Sequence, residues 1–301
     1  MIEVDTTPSP EYDEIRAAEL NLHDIFADIF NRGNTATIIL TQDVASSRIK
    51  LLLAQYTVLS NFEFAISGKH SDDQLSTLPL AEQEALITRS IAVAKAARVC
   101  GLSEVEVLGF MPPGFDQNED TYEVIDNLGI GYDAGFQAGL IYAPGHEEDV
   151  WPYQVEGHNF SAVPVSTAEV DGKLLPLHDK SMAEEGISAA QWAEILKTKL
   201  DEAAAANEPV VILISTSLSG AGEYRNALNS FLDYAGSMNA SFVNVGDLVT
   251  MAKTGSLAPP EAEESECLAC GDDEIKVIEI RYVEPPAPEP AEAVDEETPE
   301  T

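Results

Sequence analysis

The chain has 301 residues, 45% of them hydrophobic, which is enough for one large α/β barrel or two ordinary domains with a sizeable core. Its 53 acidic residues against 16 lysines and arginines give a formal net charge of −37 at pH 7. Such a surface repels nucleic-acid phosphates and anionic membranes, so it argues against nucleic-acid partners and fits neutral or cationic ligands.

Residues 257–301 hold 15 acids and 2 bases, so the rest of the chain still carries −24 and the acidity is not a property of the tail alone. No stretch approaches the ~20 apolar residues of a membrane span, and no signal peptide is visible. Either the protein is cytoplasmic or the sequence begins after a removed signal. The polar start Ile2-Glu-Val-Asp-Thr-Thr-Pro-Ser-Pro-Glu11 favours the second, an extracellular or cell-surface setting.

In chain order, residues 1–12 are expected to be loose, and Tyr12 to Phe30 reads as an amphipathic helix from Ile15, Leu20, Leu22, Ile25, Phe26 and Ile29. Strand-like and helix-like runs then alternate. Strands are predicted at Thr37–Thr41, Phe62–Ile66, Glu104–Phe110, Gly131–Asp133, Gly139–Tyr142, Val210–Ile214 and Ser241–Val245. Helices are predicted at Ser46–Leu59, Leu80–Val99, Glu119–Leu128, Ser188–Ala206, Glu223–Ala235 and Asp247–Lys253. Residues 143–187 read as a long irregular loop with short strands. About seven strands alternating with helices favour a parallel sheet closed as a barrel, and Val210–Ile214 suits a strand buried on both faces.

Four segments follow: 1–30, an N-terminal extension with its helix; 31–256, the barrel; 257–284, with one possible added strand over 274–284; and 285–301, an acidic Pro/Glu-rich disordered tail. Cys100 reads as a buried small hydrophobe. Cys267-Leu-Ala-Cys270 is a lone CxxC, open to a disulfide, to a metal shared with another chain or to no special role, because a structural zinc site needs a second pair.

In α/β barrels chemistry gathers at the C-terminal ends of the strands. Here those ends read Thr41-Gln42-Asp43-Val44, His70-Ser71-Asp72-Asp73-Gln74, Phe110-Met111-Pro112-Pro113, Tyr132-Asp133 and Ile214-Ser215-Thr216. Each has a structural reading beside the functional one. Asp43 is equally a helix N-cap, and His70 a hydrogen-bonded structural histidine. Asp72 and Asp73 are acids favoured by a helix start, Met111 a core side chain, and Ser215-Thr-Ser217 a polar strand exit.

The order and spacing of these motifs, with Leu108-Gly-Phe-Met-Pro-Pro-Gly-Phe115 and Leu128-Gly-Ile-Gly-Tyr-Asp133, resemble the polysaccharide deacetylase family, carbohydrate esterase family 4, over roughly residues 36–250. The resemblance implies a distorted (β/α)7 barrel and a divalent-metal, zinc-type hydrolase of N-acetyl groups on sugars. In that family a Thr-Phe-Asp-Asp motif supplies a base and then a metal ligand, and His-Ser/Thr-x-x-His supplies two more ligands. An arginine orients the base, and a later histidine protonates the leaving amine.

Carried over, Asp43 takes the base position and His70 a ligand position, but Val44 falls where the ligand aspartate stands. Gln74 replaces the second histidine, Met111 the arginine and Ser215 the acid histidine; Asp133 matches a looser fourth motif. The implied protein is therefore a polysaccharide deacetylase-like member of carbohydrate metabolism with a degenerate metal site, a pseudoenzyme with no metal or a weakly held divalent one.

A second cluster, Gly145-His146-Glu147-Glu148-Asp149-Val-Trp151-Pro-Tyr153 with His158 and Phe160, reads either as a solvated loop plugging the barrel mouth or as a substitute site. In the latter reading Trp151, Tyr153 and Phe160 stack on sugar faces beside His146. Three functions remain open: a glycan-binding, catalytically impaired deacetylase-like protein; an active metal-dependent deacetylase with a rearranged site of Asp43, His70 and Asp73 or His146; and a structural cell-surface module whose acidic tail leads toward an anchor.

Overall fold

The sheet begins inside the stretch expected to be loose. In the computed structural model, which describes residues 1–6, 11–56, 62–96 and 109–258, Ile2–Glu3 forms strand β1 between two parallel neighbours. Ile2 and Val4 bury against the helices on the outer side, while Glu3 and Asp5 are buried polar groups, so the acids that make this run look exposed are in fact enclosed.

Helix α1 follows at Tyr12–Phe30, as its periodicity predicts, and buries Leu22, Ile25, Phe26 and Ile29 along one stripe. Then come β2 (Ala36–Leu40), α2 (Gln42–Ser46), α3 (Ile49–Tyr56), β3 (Phe62–Ile66), α4 (Leu80–Ala96), β4 (Gly109–Phe110), α5 (Glu119–Leu128) and β5 (Tyr132–Gln137). The segment read as irregular contains β6 (Tyr153–Gln154), β7 (Ser161–Val165), the hairpin strands β8 (Thr167–Val170) and β9 (Lys173–Pro176), and α6 (Asp179–Glu184). The described chain ends with α7 (Ala189–Ala206), β10 (Ile214–Ser215), α8 (Thr216–Ser219), α9 (Gly222–Ser237) and α10 (Val245–Thr254). Capping boxes start α5 (Asn118 with Thr121) and α7 (Ser188 with Gln191), and α5 stops at Gly129 in the left-handed region (φ 68°).

The strand order is β10-β1-β2-β3-β4-β5-β7-β6, parallel except for β6. The two sides of the sheet are tied together by backbone bonds. Ser166 N donates to Val211 O (3.0 Å), Leu177 N to Ser166 O (2.7 Å) and Leu213 N to Leu177 O (3.0 Å), so the run entering β10 is held against the end of β7. This is an α/β fold of the distorted (β/α)7 barrel type that the sequence predicts.

Ile39, Ala65, Met111, Tyr132, Ala134, Val163, Val165 and Leu213 fill the interior. Outside, α1, α7 and α9 cover β1 and β2 through Phe26, Trp192, Leu196 and Phe231, while α4 and α5 cover Phe110, Phe136 and Phe160.

Several sequence assignments change. The strand expected at Val210–Ile214 is regular only at Ile214–Ser215, with Val210 and Ile212 partly exposed. Gly139–Tyr142 is a turn (Gly139 φ 71°) bridged to Gln137, not a strand. Ser241–Asn244 is an extended lead into α10, whose first amides bind inside the barrel: Val245 N donates to Thr37 Oγ1 (2.9 Å) and Gly246 N to Glu63 Oε2 (3.0 Å). Strand β7 was hidden by Pro164, whose missing donor falls beside Phe136, where the β5–β7 register shifts. The predicted ends of the helices at Leu59 and Val99, the residues of Glu104–Phe110 before Gly109, Cys100, Cys267, Cys270, the added strand at 274–284 and the acidic tail lie outside the described residues.

Candidate functional site

The C-terminal ends of β2 and β3 bring two predicted residues together. Gln42 N and Asp43 N donate to Gly68 O and Lys69 O (3.1 and 3.3 Å), which sets the two strand-end loops side by side. His70 Nδ1 then lies 2.5 Å from Asp43 Oδ2, with both side chains largely buried. The loop is locked from below: Asp73 Oδ2 accepts from Lys69 N (2.5 Å) and His70 N (2.9 Å). Gly68 is required there, because a Cβ would lie 2.6 Å from Asp73 Oδ2 and 2.7 Å from the Pro113 ring.

The remaining predicted residues do not converge on this pair. Val44 is buried core, Gln74 is exposed with no side-chain bond at its turn, and Asp73 faces backbone amides. Met111 is 3% exposed and packs in the barrel interior. Ser215 is fully buried and bonded to Asp179. Asp133 is buried on the side of the sheet that faces α5, near Tyr122 and Tyr153, with one oxygen accepting from Gly135 N (2.7 Å) and the other unpartnered.

The aromatic loop is split. Trp151 packs against the interior cluster beside Met1 and Val243, and Phe160 is fully buried under α5. His146 stacks on Tyr153 at 3.9 Å while its Nδ1 holds Asp149, and His158 Nδ1 is 2.7 Å from Asp126 Oδ2. These contacts make the loop a packed side wall rather than a row of open sugar platforms.

A second polar cluster, absent from the sequence reading, sits at the ends of β1 and β10. Asp5 Oδ2 accepts from Lys180 Nζ (3.1 Å) and Ser217 Oγ (2.5 Å), and Asp5 Oδ1 accepts from Ser217 N (2.9 Å) and Thr216 Oγ1 (3.0 Å). Burial pushes the Asp5 carboxyl up, but the Lys180 charge and the Ser217 bonds outweigh it and hold it below the ordinary value. Beneath it, Glu3 is raised to about 7 and His178 lowered to about 4, both mainly by burial. The two clusters adjoin, since Ser71 Oγ donates to Thr6 O (3.2 Å). The mouth therefore carries two acid–base pairs, Asp43–His70 and Asp5–Lys180, above a deeper pair, Glu3–His178.

The cues to this cluster in the sequence are the alternation Ile2-Glu3-Val4-Asp5, the polar strand exit Ser215-Thr216-Ser217 and the triplet His178-Asp179-Lys180 at a helix start. Among the described residues no group of three or more His, Cys, Asp or Glu side chains is arranged to hold a metal ion.

The buried carboxyls make stability pH-dependent. Burial raises Asp133 and Glu3 to about 7 and Asp179 to about 6. Between the unfolded and folded values the native state holds the extra protons, so these groups lose stability as pH rises through that window. His178, lowered to about 4, acts oppositely between about 4 and 6.5. The buried Met1 amine, lowered to about 5, is a second opposing group, so the two lowered groups offset much of the fall from the three carboxyls between pH 5 and 8, and Asp133 is tested by its own share of that fall. Asp133→Asn is expected to flatten that fall in thermal unfolding, gaining more over the parent at pH 8 than at pH 5. Equal midpoints relative to the parent at both values would contradict the assignment.

No family model and no curated protein matches the chain. Solved structures do. A Mycobacterium smegmatis protein assigned to the polysaccharide deacetylases superposes with a TM-score of 0.62 at 16% identity, over 82% of each chain. The Xyl-CE4 domain of a multidomain xylanase from the hindgut metagenome of Trinervitermes trinervoides gives 0.51 at 14% identity, over 84% of this chain and 89% of that one. A CE4 family pseudoenzyme from Bacillus anthracis gives 0.50 at 11% identity, over 82% and 64%.

Proposed function

With the fold of the polysaccharide deacetylases in hand, we propose that this chain is a deacetylase-like protein of carbohydrate metabolism. In this reading it binds glycan at the strand-end mouth without carrying out metal-dependent deacetylation. One observation carries it: neither aspartate that could stand as the first motif is followed by a second carboxylate. The end of β2 offers Asp43 followed by buried Val44; the end of β1, the true first strand, offers Asp5 followed by Thr6.

The donors present do not fit a catalytic zinc, which takes three protein ligands and an open position. Asp43 and His70 are two donors already bonded to each other, and Gln74 points away into solvent. No hydrolytic step through a metal is derived for them. The charge of −37 and the hydroxyl-rich, carboxylate-lined mouth suit a neutral, hydroxyl-bearing ligand. An extracellular or cell-surface setting belongs to the same proposal and rests on composition.

Calorimetric titration with tetra-N-acetylchitotetraose, run beside an acetate-release assay, tests the reading. The expected result is binding without acetate release, weakened several-fold in His70→Ala. Acetate release that requires added zinc and vanishes in His70→Ala would overturn it.

A further inference from the structure

The deepest part of the mouth contains hydrogen-bonding capacity that the described residues leave unused. Glu3 is 6% exposed and its carboxylate accepts no hydrogen bond from them. His178 is 9% exposed; its Nδ1 meets Ser181 Oγ at 3.0 Å, while Nε2 is buried and unpartnered. That Nε2 lies 3.9 Å from Glu3 Oε2, too far for a direct hydrogen bond. An oxygen atom placed about 2.8 Å from each would bridge them.

Asp179, 3.6 Å from the same nitrogen, cannot fill the gap, since its oxygens already accept from Ser215 N, Ser215 Oγ, Ser219 Oγ and Lys180 N. An enclosed, unpartnered imidazole nitrogen facing a largely buried carboxylate that accepts no hydrogen bond from the described residues marks a place for one more polar group.

Two further features describe how a ligand would sit. The Phe115 ring stands edge-on to His178, with centroids 6.0 Å apart. Phe115 has φ 62°, in the left-handed region that a bulky side chain rarely adopts, directly after Gly114 at φ 58° in the run Pro112-Pro-Gly-Phe115. Strain of this kind persists where surroundings enforce it, and it gathers at ligand clamps. At the rim Lys180 is 35% exposed, spends one donor on Asp5, and stands beside exposed Ser217.

We propose that Glu3 and His178, covered by Phe115 and rimmed by Lys180 and Ser217, form a metal-free subsite for a neutral ligand with adjacent hydroxyls, one hydroxyl bridging Glu3 Oε2 and His178 Nε2 and the next reaching Lys180. The subsite rests on the glycan reading only for the identity of the natural ligand. The charged and titratable groups around Glu3 are Lys180, Asp5, Asp179 and His178. A hydroxyl donates more strongly to the ionised carboxylate than to the acid, so affinity rises with pH as Glu3 ionises.

The test titrates the full chain, labelled at its histidine rings for NMR, with tetra-N-acetylchitotetraose and separately with glycerol at molar concentration. If the subsite is correct, the oligomer shifts the His178 ring signals, Glu3→Gln and His178→Asn weaken binding at least 10-fold, and Glu3→Gln abolishes the gain in affinity between pH 5.5 and 8. Phe115→Gly, which relieves the strained φ and lifts the cover, is expected to bind as tightly or more tightly than the parent.

Oligomer binding that is unchanged in Glu3→Gln and His178→Asn overturns the subsite and leaves the glycan reading standing. Glycerol shifts at His178 that vanish in Glu3→Gln, with no oligomer binding, support the subsite and overturn the glycan reading. Silence from both probes overturns both.

Discussion

Asp179→Ala is expected to destabilise the fold by about 3–5 kcal/mol, measured as the loss in denaturant-unfolding free energy. The carboxylate is fully buried at the first turn of α6 and ties three elements together. It accepts from Ser215 N at 3.0 and 2.9 Å, from Ser215 Oγ at 3.2 Å, from Ser219 Oγ at 2.6 Å and from Lys180 N at 2.8 Å. The alanine variant leaves the Ser215 amide and two serine hydroxyls buried without that acceptor, each worth about 1–3 kcal/mol before relaxation, and frees the part-buried Lys180 amide as well.

Asp179→Asn keeps one acceptor oxygen, and the serine hydroxyls can rotate to meet its amide, so a loss of about 1–2 kcal/mol is expected there. Because β10 pairs with β1 through Glu3 and Ser215, the alanine variant should also disturb the Asp5 cluster. An alanine variant as stable as the parent would show that this network does not hold the β1–β10 seam.

Gly109→Ala is the second large effect. Gly109 is in β4 opposite Tyr132, whose ring lies flat across it inside the barrel: a Cβ would fall 1.9–2.5 Å from three ring carbons. The ring cannot swing aside freely, since it is buried and its hydroxyl donates to Glu63 Oε1 at 2.6 Å. Glu63 in turn accepts from Thr37 Oγ1 (3.0 Å) and from Gly246 N at the start of α10. Overpacking therefore spreads from one methyl group to the helix that closes the lower end of the barrel. A loss of about 3 kcal/mol is expected, and Gly109→Ala combined with Tyr132→Leu should recover part of it. Thermal unfolding of the single and double variants measures both; a single variant with an unchanged midpoint would contradict the packing described.

The parts of this fold that local chemistry specifies were legible in the sequence. Helices α1, α5, α7 and α9 announce themselves by apolar stripes, and α5 and α7 by their capping residues as well. The pairing of Asp43 with His70 was legible because adjacent parallel strands bring their C-terminal ends together. The Asp5–His178–Lys180 cluster was not. It joins residues about 175 positions apart, and its strand is only two residues long, carries acids and precedes a proline-rich run, all of which read as exposed lead-in. Asp5 is enclosed because Lys180 and two hydroxyl side chains, Thr216 and Ser217, meet it from distant segments, and no local pattern encodes that. Strand β7 failed for a different reason, since Pro164 is tolerated only where the β5 ladder already slips. The aromatic loop was read by residue type alone, but Phe160 and Tyr153 serve the packing beneath α5.

On the proposed function, the described residues of the mouth hold too few ligands for a catalytic metal. The most direct test is the zinc stoichiometry of the full chain after equilibration with a slight excess of zinc and gel filtration, measured by elemental analysis for the parent and for His70→Ala. The expected result is well under one zinc per chain in both. One zinc per chain in the parent, lost in His70→Ala, would contradict it.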